Sequence, residues 1–262
     1  MNLSIFFKKG LSIRAQKPSL PANGPITPCL QAMAVRDASG KPVSPVGTDV
    51  ARLYSGRKTR VVFMHTAGSG ITPWRRLIVL DADYKGDGQA KSPAKIGLVA
   101  HELTHLLQRD LRNPNYWPSG GLRPARGRRW IGDSTNFMEV VAYLVGWTVE
   151  YDLTAARLAS PDLPPEVQEQ IRRALRSLKN RLATLAGRDV RNATRLVVKT
   201  FPDNGVYRNN YRLENRLADG RIPIGGWYDW LLEMGFSRGA VDHIMVIAAQ
   251  GHAENIDPAQ FA

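Results

Sequence analysis

With a single cysteine, Cys29, the chain can form no intrachain disulfide and no thiolate-rich metal cluster. That lone residue reads as a buried or idle thiol rather than a cap on a metal. Histidine is almost as scarce: there are five in 262 residues, and none between His105 and His243. No apolar run approaches the roughly 20 residues that a membrane-spanning helix needs. Near the N-terminus only Ile5, Phe6 and Phe7 precede Lys8 and Lys9, too little for a signal-peptide core. A cytoplasmic protein without membrane contact is the default expectation, and export by a non-classical route stays compatible with it. No repeat or low-complexity block appears.

Acid is in deficit as well. Lys and Arg number 36 against 23 Asp and Glu, a net charge of +13. Arg123, Arg126, Arg128 and Arg129 form one basic cluster, and Arg172, Arg173, Arg176, Lys179 and Arg181 another. Two readings compete: weak contact with a polyanion such as nucleic acid, or an ordinary solvated basic surface. The second is preferred, because no nucleic-acid motif accompanies the charge.

An apolar content of 43% over this length can bury a sizeable core. Prolines and glycines crowd the first 45 residues, among them Pro18, Pro21, Gly24, Pro25, Pro28, Gly40, Pro42 and Pro45. Residues 1–45 are therefore expected to be an irregular extension, and 46–262 a single domain. Within that domain 60–155 should form a site core and 165–262 a helical C-terminal part. The predicted class is α+β and mainly helical, with a small antiparallel sheet beside two site helices. Strands are expected at 60–65 and 76–81, paired across a Gly-rich turn region. Helices are expected from Pro93, over 133–159, over 165–186, and as two short pieces at 227–234 and 238–250, with Ser237 a candidate N-cap.

His101-Glu102-Leu103-Thr104-His105 carries the chemistry. Four-residue spacing stacks two imidazoles one helical turn apart, and Glu102 flanks the place where a metal-bound water would sit. Such a pattern arises by accident in roughly one chain of this length in a hundred, so context must support it. Ser92-Pro93 is an N-cap followed by a proline suited to the first helical position. Ile96, Leu98, Val99, Leu103, Leu106 and Leu107 then recur at threes and fours, which buries the motif on a helix.

A zinc site of this kind needs a third protein ligand. Gln108 and Leu111 occupy the positions downstream of the pair where a nearby third histidine would stand, and Cys29 is the only thiol, so a carboxylate remains. Glu139 is an isolated acid in the apolar run 137–149, where an unpaired carboxylate would be costly and a metal-bound one would not. A salt bridge to an arginine is the bland alternative for that residue.

A motif helix followed about thirty residues later by Glu139-Val140-Val141-Ala142-Tyr143 resembles the gluzincin class of zinc metallopeptidases. The string His101 to Gln108 is also similar to bacterial proteins with a His-Glu-Leu-Thr-His-x-x-Gln helix. The likeness covers roughly residues 60–155. It implies one zinc ion held by His101, His105 and Glu139, with Glu102 as general base in hydrolysis of a peptide or protein substrate. Many gluzincins carry an aspartate four residues after the glutamate ligand, and here that position is Tyr143. Support for the histidines is then expected from Glu150, Asp152 or a backbone carbonyl. Tyr143 is the oxyanion-stabilising candidate nearest the motif; Tyr116, Tyr207, Tyr211, His243 and His252 are its rivals, and the family pattern favours the C-terminal half. A sheet edge beside the motif helix would receive an extended peptide as an added strand.

Overall fold

The computed structural model describes residues 26–55, 57, 60–64, 70–74, 77–82, 92–110, 132–160, 162–186 and 226–254, with backbone alone at 70–74, 109–110, 132–138, 229 and 252–254. The described elements are, in chain order, α1 (Thr27–Met33), α2 (Pro45–Tyr54), β1 (Arg60–Met64), β2 (Gly70–Trp74), β3 (Leu77–Asp81), α3 (Pro93–Asp110), α4 (Gly132–Leu158), α5 (Pro165–Ala186), α6 (Gly226–Glu233) and α7 (Arg238–Glu254). This is a mainly helical α+β arrangement, as expected. The basic cluster at 123–129, the loop from 83 and the first 25 residues lie outside the described residues.

Local chemistry sets the helix starts. The Ser92 carbonyl accepts the Ile96 N–H at 3.0 Å, and Pro93 takes the first position of α3. Ser237 Oγ accepts the Ala240 N–H at 3.3 Å and caps α7. In α5 the apolar stripe Ile171, Leu175, Leu178, Leu182 and Leu185 is buried, while Arg172, Arg173 and Arg176 on the other face are exposed.

Two expectations need correction. The sheet is mixed rather than purely antiparallel: its order is β1-β3-β2, with β1 parallel to β3 and β2 antiparallel to β3. What reads as a turn region holds a strand of its own, and that extra reversal makes the flanking strands run the same way. Pro73 lies in β2, an edge strand, where a missing donor is tolerated. The second correction concerns residues 26–45, placed in an irregular extension. Instead Ile26, Cys29, Leu30 and Met33 of the α1 region are buried in the main core, and α2 starts at Pro45. Burial pushes the Cys29 thiol up to about 12, so it is an inert packing group.

Buried carboxylates tie α2 to the later helices. Ser44 caps α2 by accepting the Gly47 N–H at 3.0 Å and donates its own hydroxyl to Asp152 on α4 at 2.7 Å. His243 of α7 meets the other oxygen of Asp152 at 2.8 Å. One turn along α2, Asp49 accepts from both the backbone N–H and the hydroxyl of Ser237, at 2.7 and 2.6 Å. The irregular-looking N-terminal part is thereby bonded into the helical body.

Helices α3 and α4 run antiparallel in intimate contact, and two glycines permit it. A Cβ at Gly97 would lie 2.7 Å from the Gly146 carbonyl oxygen, and one at Gly146 would lie 2.7 Å from that of Gly97. Any side chain at either position would push the helices apart. The sheet meets this pair through β2, which packs on α3.

Candidate metal centre

Three side chains converge where α3 and α4 cross. His101 and His105 face α4 from successive turns of α3, with their Nε2 atoms 3.1 Å apart. Glu139, near the start of α4, places Oε2 at 3.3 Å from each of those nitrogens. Ligand bonds of about 2.05 Å at the tetrahedral angle set their atoms about 3.3 Å apart, so this triangle has the dimensions of one face of a tetrahedral site. These three residues could hold a metal ion. The two histidines are buried, at 4% and 8% exposure, so water contributes little to satisfying their nitrogens.

Electrostatics point the same way. Burial alone would push the His105 imidazole down, but the charge and hydrogen bond of Glu139, with Glu102 nearby, raise it to about 9. Burial alone would raise Glu139, yet the charge on His105 and bonds from both histidines hold its carboxyl well below the usual range. The cluster thus retains a proton on His105 through neutral pH, and a proton there stands where a cation would be attracted.

Glu102 is 3% exposed, and its Oε1 lies 4.0 Å from His101 Nε2, so the acid between the histidines reaches the same small volume. The ring of Tyr143 packs at a tilt of 50° against that of His101, with centroids 4.2 Å apart. Trp147 extends this aromatic group, its centroid 4.9 Å from that of Tyr143, and the Arg181 guanidinium of α5 lies over Trp147 at 5.3 Å. Gly146 completes the wall: a Cβ there would come within 3.0 Å of His101 Cβ.

The remaining sequence candidates separate clearly. His243 is bonded to Asp152, thirteen residues beyond Glu139 on one helix, about 20 Å along the axis at 1.5 Å per residue. It is too remote to touch a reaction at the triangle. The same distance removes Asp152 as a support for the ligands; Glu150 lies beside Gly97, one turn of α3 before His101, and the charge that acts on its carboxyl is that of Arg181. Asp152 is held in its own latch, where burial pushes its carboxyl up and His243 and Ser44 partly offset the rise. Tyr116, Tyr207 and Tyr211 and the side chain of His252 lie outside the described residues.

The residue that sequence reasoning missed is Gln108. Its Oε1 lies 2.9 Å from His105 Nδ1, and the side chain is completely buried. The signal was present in the spacing, since residues three apart on a helix share a face. Against family models, curated proteins and solved structures the chain finds no match.

Proposed function

We propose that this chain is a zinc-dependent peptidase of gluzincin type, acting by general-base hydrolysis of peptide bonds within an extended substrate. The observation that carries the reading is a buried two-imidazole, one-carboxylate triangle with edges of 3.1 to 3.3 Å, accompanied by a further carboxylate, Glu102, that a purely structural site would not require. Zinc suits a nitrogen-rich, tetrahedral donor set, and once bound it would supply a Lewis acid and lower the pKa of a water in its open position to about 7.

The chain's own groups account for the rest. Glu102 takes the proton from the attacking water and delivers it to the leaving amine. Tyr143, packed against His101, acts as a brace that holds the ring facing Glu139. Edge strand β2 packs beside α3 and has no second β partner among the described residues, so its outer rim suits an extended backbone.

Metal analysis paired with Glu102→Gln tests the reading. One equivalent of zinc, cleavage of unfolded protein by the wild type, and a loss of about 10²-fold or more in the variant with metal retained is the expected result. A second reading, a basic polyanion-binding protein without proteolysis, has one observation in its favour. Exposed Arg172, Arg173 and Arg176 of α5 share a single acid, Glu169, at 3.8, 3.3 and 3.2 Å. Bound metal with no turnover of varied peptides, together with salt-sensitive DNA binding, would establish that alternative.

A further inference from the structure

We infer that Gln108 is a positioning residue for the metal: its amide oxygen holds the proton of His105 Nδ1, so that the ring nitrogen an ion can free of its proton is Nε2, the one facing Glu139. The inference rests on the zinc-site reading above and adds to it the group that keeps the Nδ1 proton in place when an ion displaces the one on Nε2.

A neutral imidazole has one N–H and one lone pair, and the nitrogen bearing the proton is fixed by what the ring can donate to. His105 Nε2 lies among His101 Nε2 and Glu139 Oε2, at 3.1 and 3.3 Å. To present a lone pair there, the ring must carry its proton on Nδ1. In a buried site that N–H needs an acceptor, and Gln108 Oε1 stands 2.9 Å away. Gln108 is itself completely buried, and a buried primary amide is costly unless its polar atoms are bonded.

The two histidines are not equivalent. His101 Nδ1 is buried with no hydrogen-bond partner among the described residues, and its ring is held by Tyr143 instead. Tautomer control therefore operates on His105 and packing control on His101. A neutral amide also leaves the imidazole less electron-rich than a carboxylate would. Replacing Gln108 by an acid should accordingly preserve or strengthen the ligand, whereas an apolar group of the same size should weaken it.

The test measures zinc and cobalt affinity by chelator competition for wild type, Gln108→Met and Gln108→Glu, with folding checked by circular dichroism and urea unfolding. Met keeps the volume and removes the acceptor. We expect about 10- to 100-fold weaker metal binding for Gln108→Met, and affinity equal to or above wild type for Gln108→Glu. In the cobalt-loaded protein, a strongly shifted, exchange-protected proton from His105 Nδ1–H should appear in wild type and Gln108→Glu and be lost in Gln108→Met. Equal affinities in wild type and Gln108→Met, with that proton retained, overturn the role of Gln108 while leaving the metal site intact. Loss of binding in both variants assigns Gln108 to packing and likewise overturns it. A wild type that binds no metal removes the peptidase reading, and this inference with it.

Discussion

Gly146→Ala sets two well-known effects against each other at one atom. In a helix interior, replacing glycine by alanine ordinarily stabilises by about 1 kcal/mol. Here the new methyl would lie 2.7 Å from the Gly97 carbonyl oxygen and 3.0 Å from His101 Cβ, where ordinary contact begins at 3.4 Å. The first neighbour is backbone in the middle of α3 and cannot swing aside, so α3 and α4 must separate by several tenths of an ångström. Overpacking of this kind costs about 1 to 3 kcal/mol, and a rigid partner places it toward the upper end, for a net loss of about 2 kcal/mol. The second neighbour belongs to His101, one of the three groups that could hold the ion. Since metal–ligand distances tolerate only about 0.2 Å, separating the two helices should weaken zinc binding by about tenfold or more. Urea unfolding of the metal-free protein and chelator competition measure the two effects separately. Gly239→Ala in α7 provides the contrast, because nothing lies within 4 Å of a Cβ there, and it should gain up to about 1 kcal/mol. If Gly146→Ala is instead stabilised like Gly239→Ala and binds zinc unchanged, close approach at Gly146 is not what shapes the site.

Metal binding should depend on pH through His105, whose pKa is raised from 6.5 to about 9. Below that value the ion must displace a proton, so apparent affinity should rise about tenfold per pH unit between 6.5 and 9 and then level off, with proton release seen by calorimetry in buffers of different ionisation heat. In the metal-free protein the same raised pKa contributes stability that is complete below 6.5 and fades as pH rises through about 9. A flat affinity profile over that interval would contradict the coupling of His105 to Glu139. Ser44→Ala removes both the N-cap of α2 and a donor to buried Asp152. It should cost about 2 to 3 kcal/mol in urea unfolding with zinc affinity untouched, and a loss within about 0.5 kcal/mol would show that the latch contributes nothing.

Much of the helical plan was legible because its signals are local. Ser92-Pro93 marks the start of α3, the three prolines after 160 separate α4 from α5, and the apolar stripe of α5 matches its burial. The same cap-and-proline signal stands at Ser44-Pro45, where it starts α2, but the density of Pro and Gly before it masks the helix. Strand β2 was illegible for a related reason: Gly70 and Pro73 read as a turn, and only pairing with β3 makes the segment a strand. At the site, His101, Glu102 and His105 were visible from one turn of spacing, and Glu139 from its isolation among apolar neighbours.

Local spacing determined that two imidazoles would share a helical face with an acid at its flank, and the scarcity of other donors left a carboxylate as the expected third group. Only the packing of α3 on α4 decided the rest. The 3.1 to 3.3 Å triangle depends on two glycines, Gly97 and Gly146, nearly fifty residues apart, whose missing side chains let the helices touch. It also packed the ring of Tyr143 against His101 and removed His243 to the Asp152 latch. Periodicity within one helix reports which residues face inward. What they meet there is set by the neighbouring helix, and that information is spread over positions no local pattern connects.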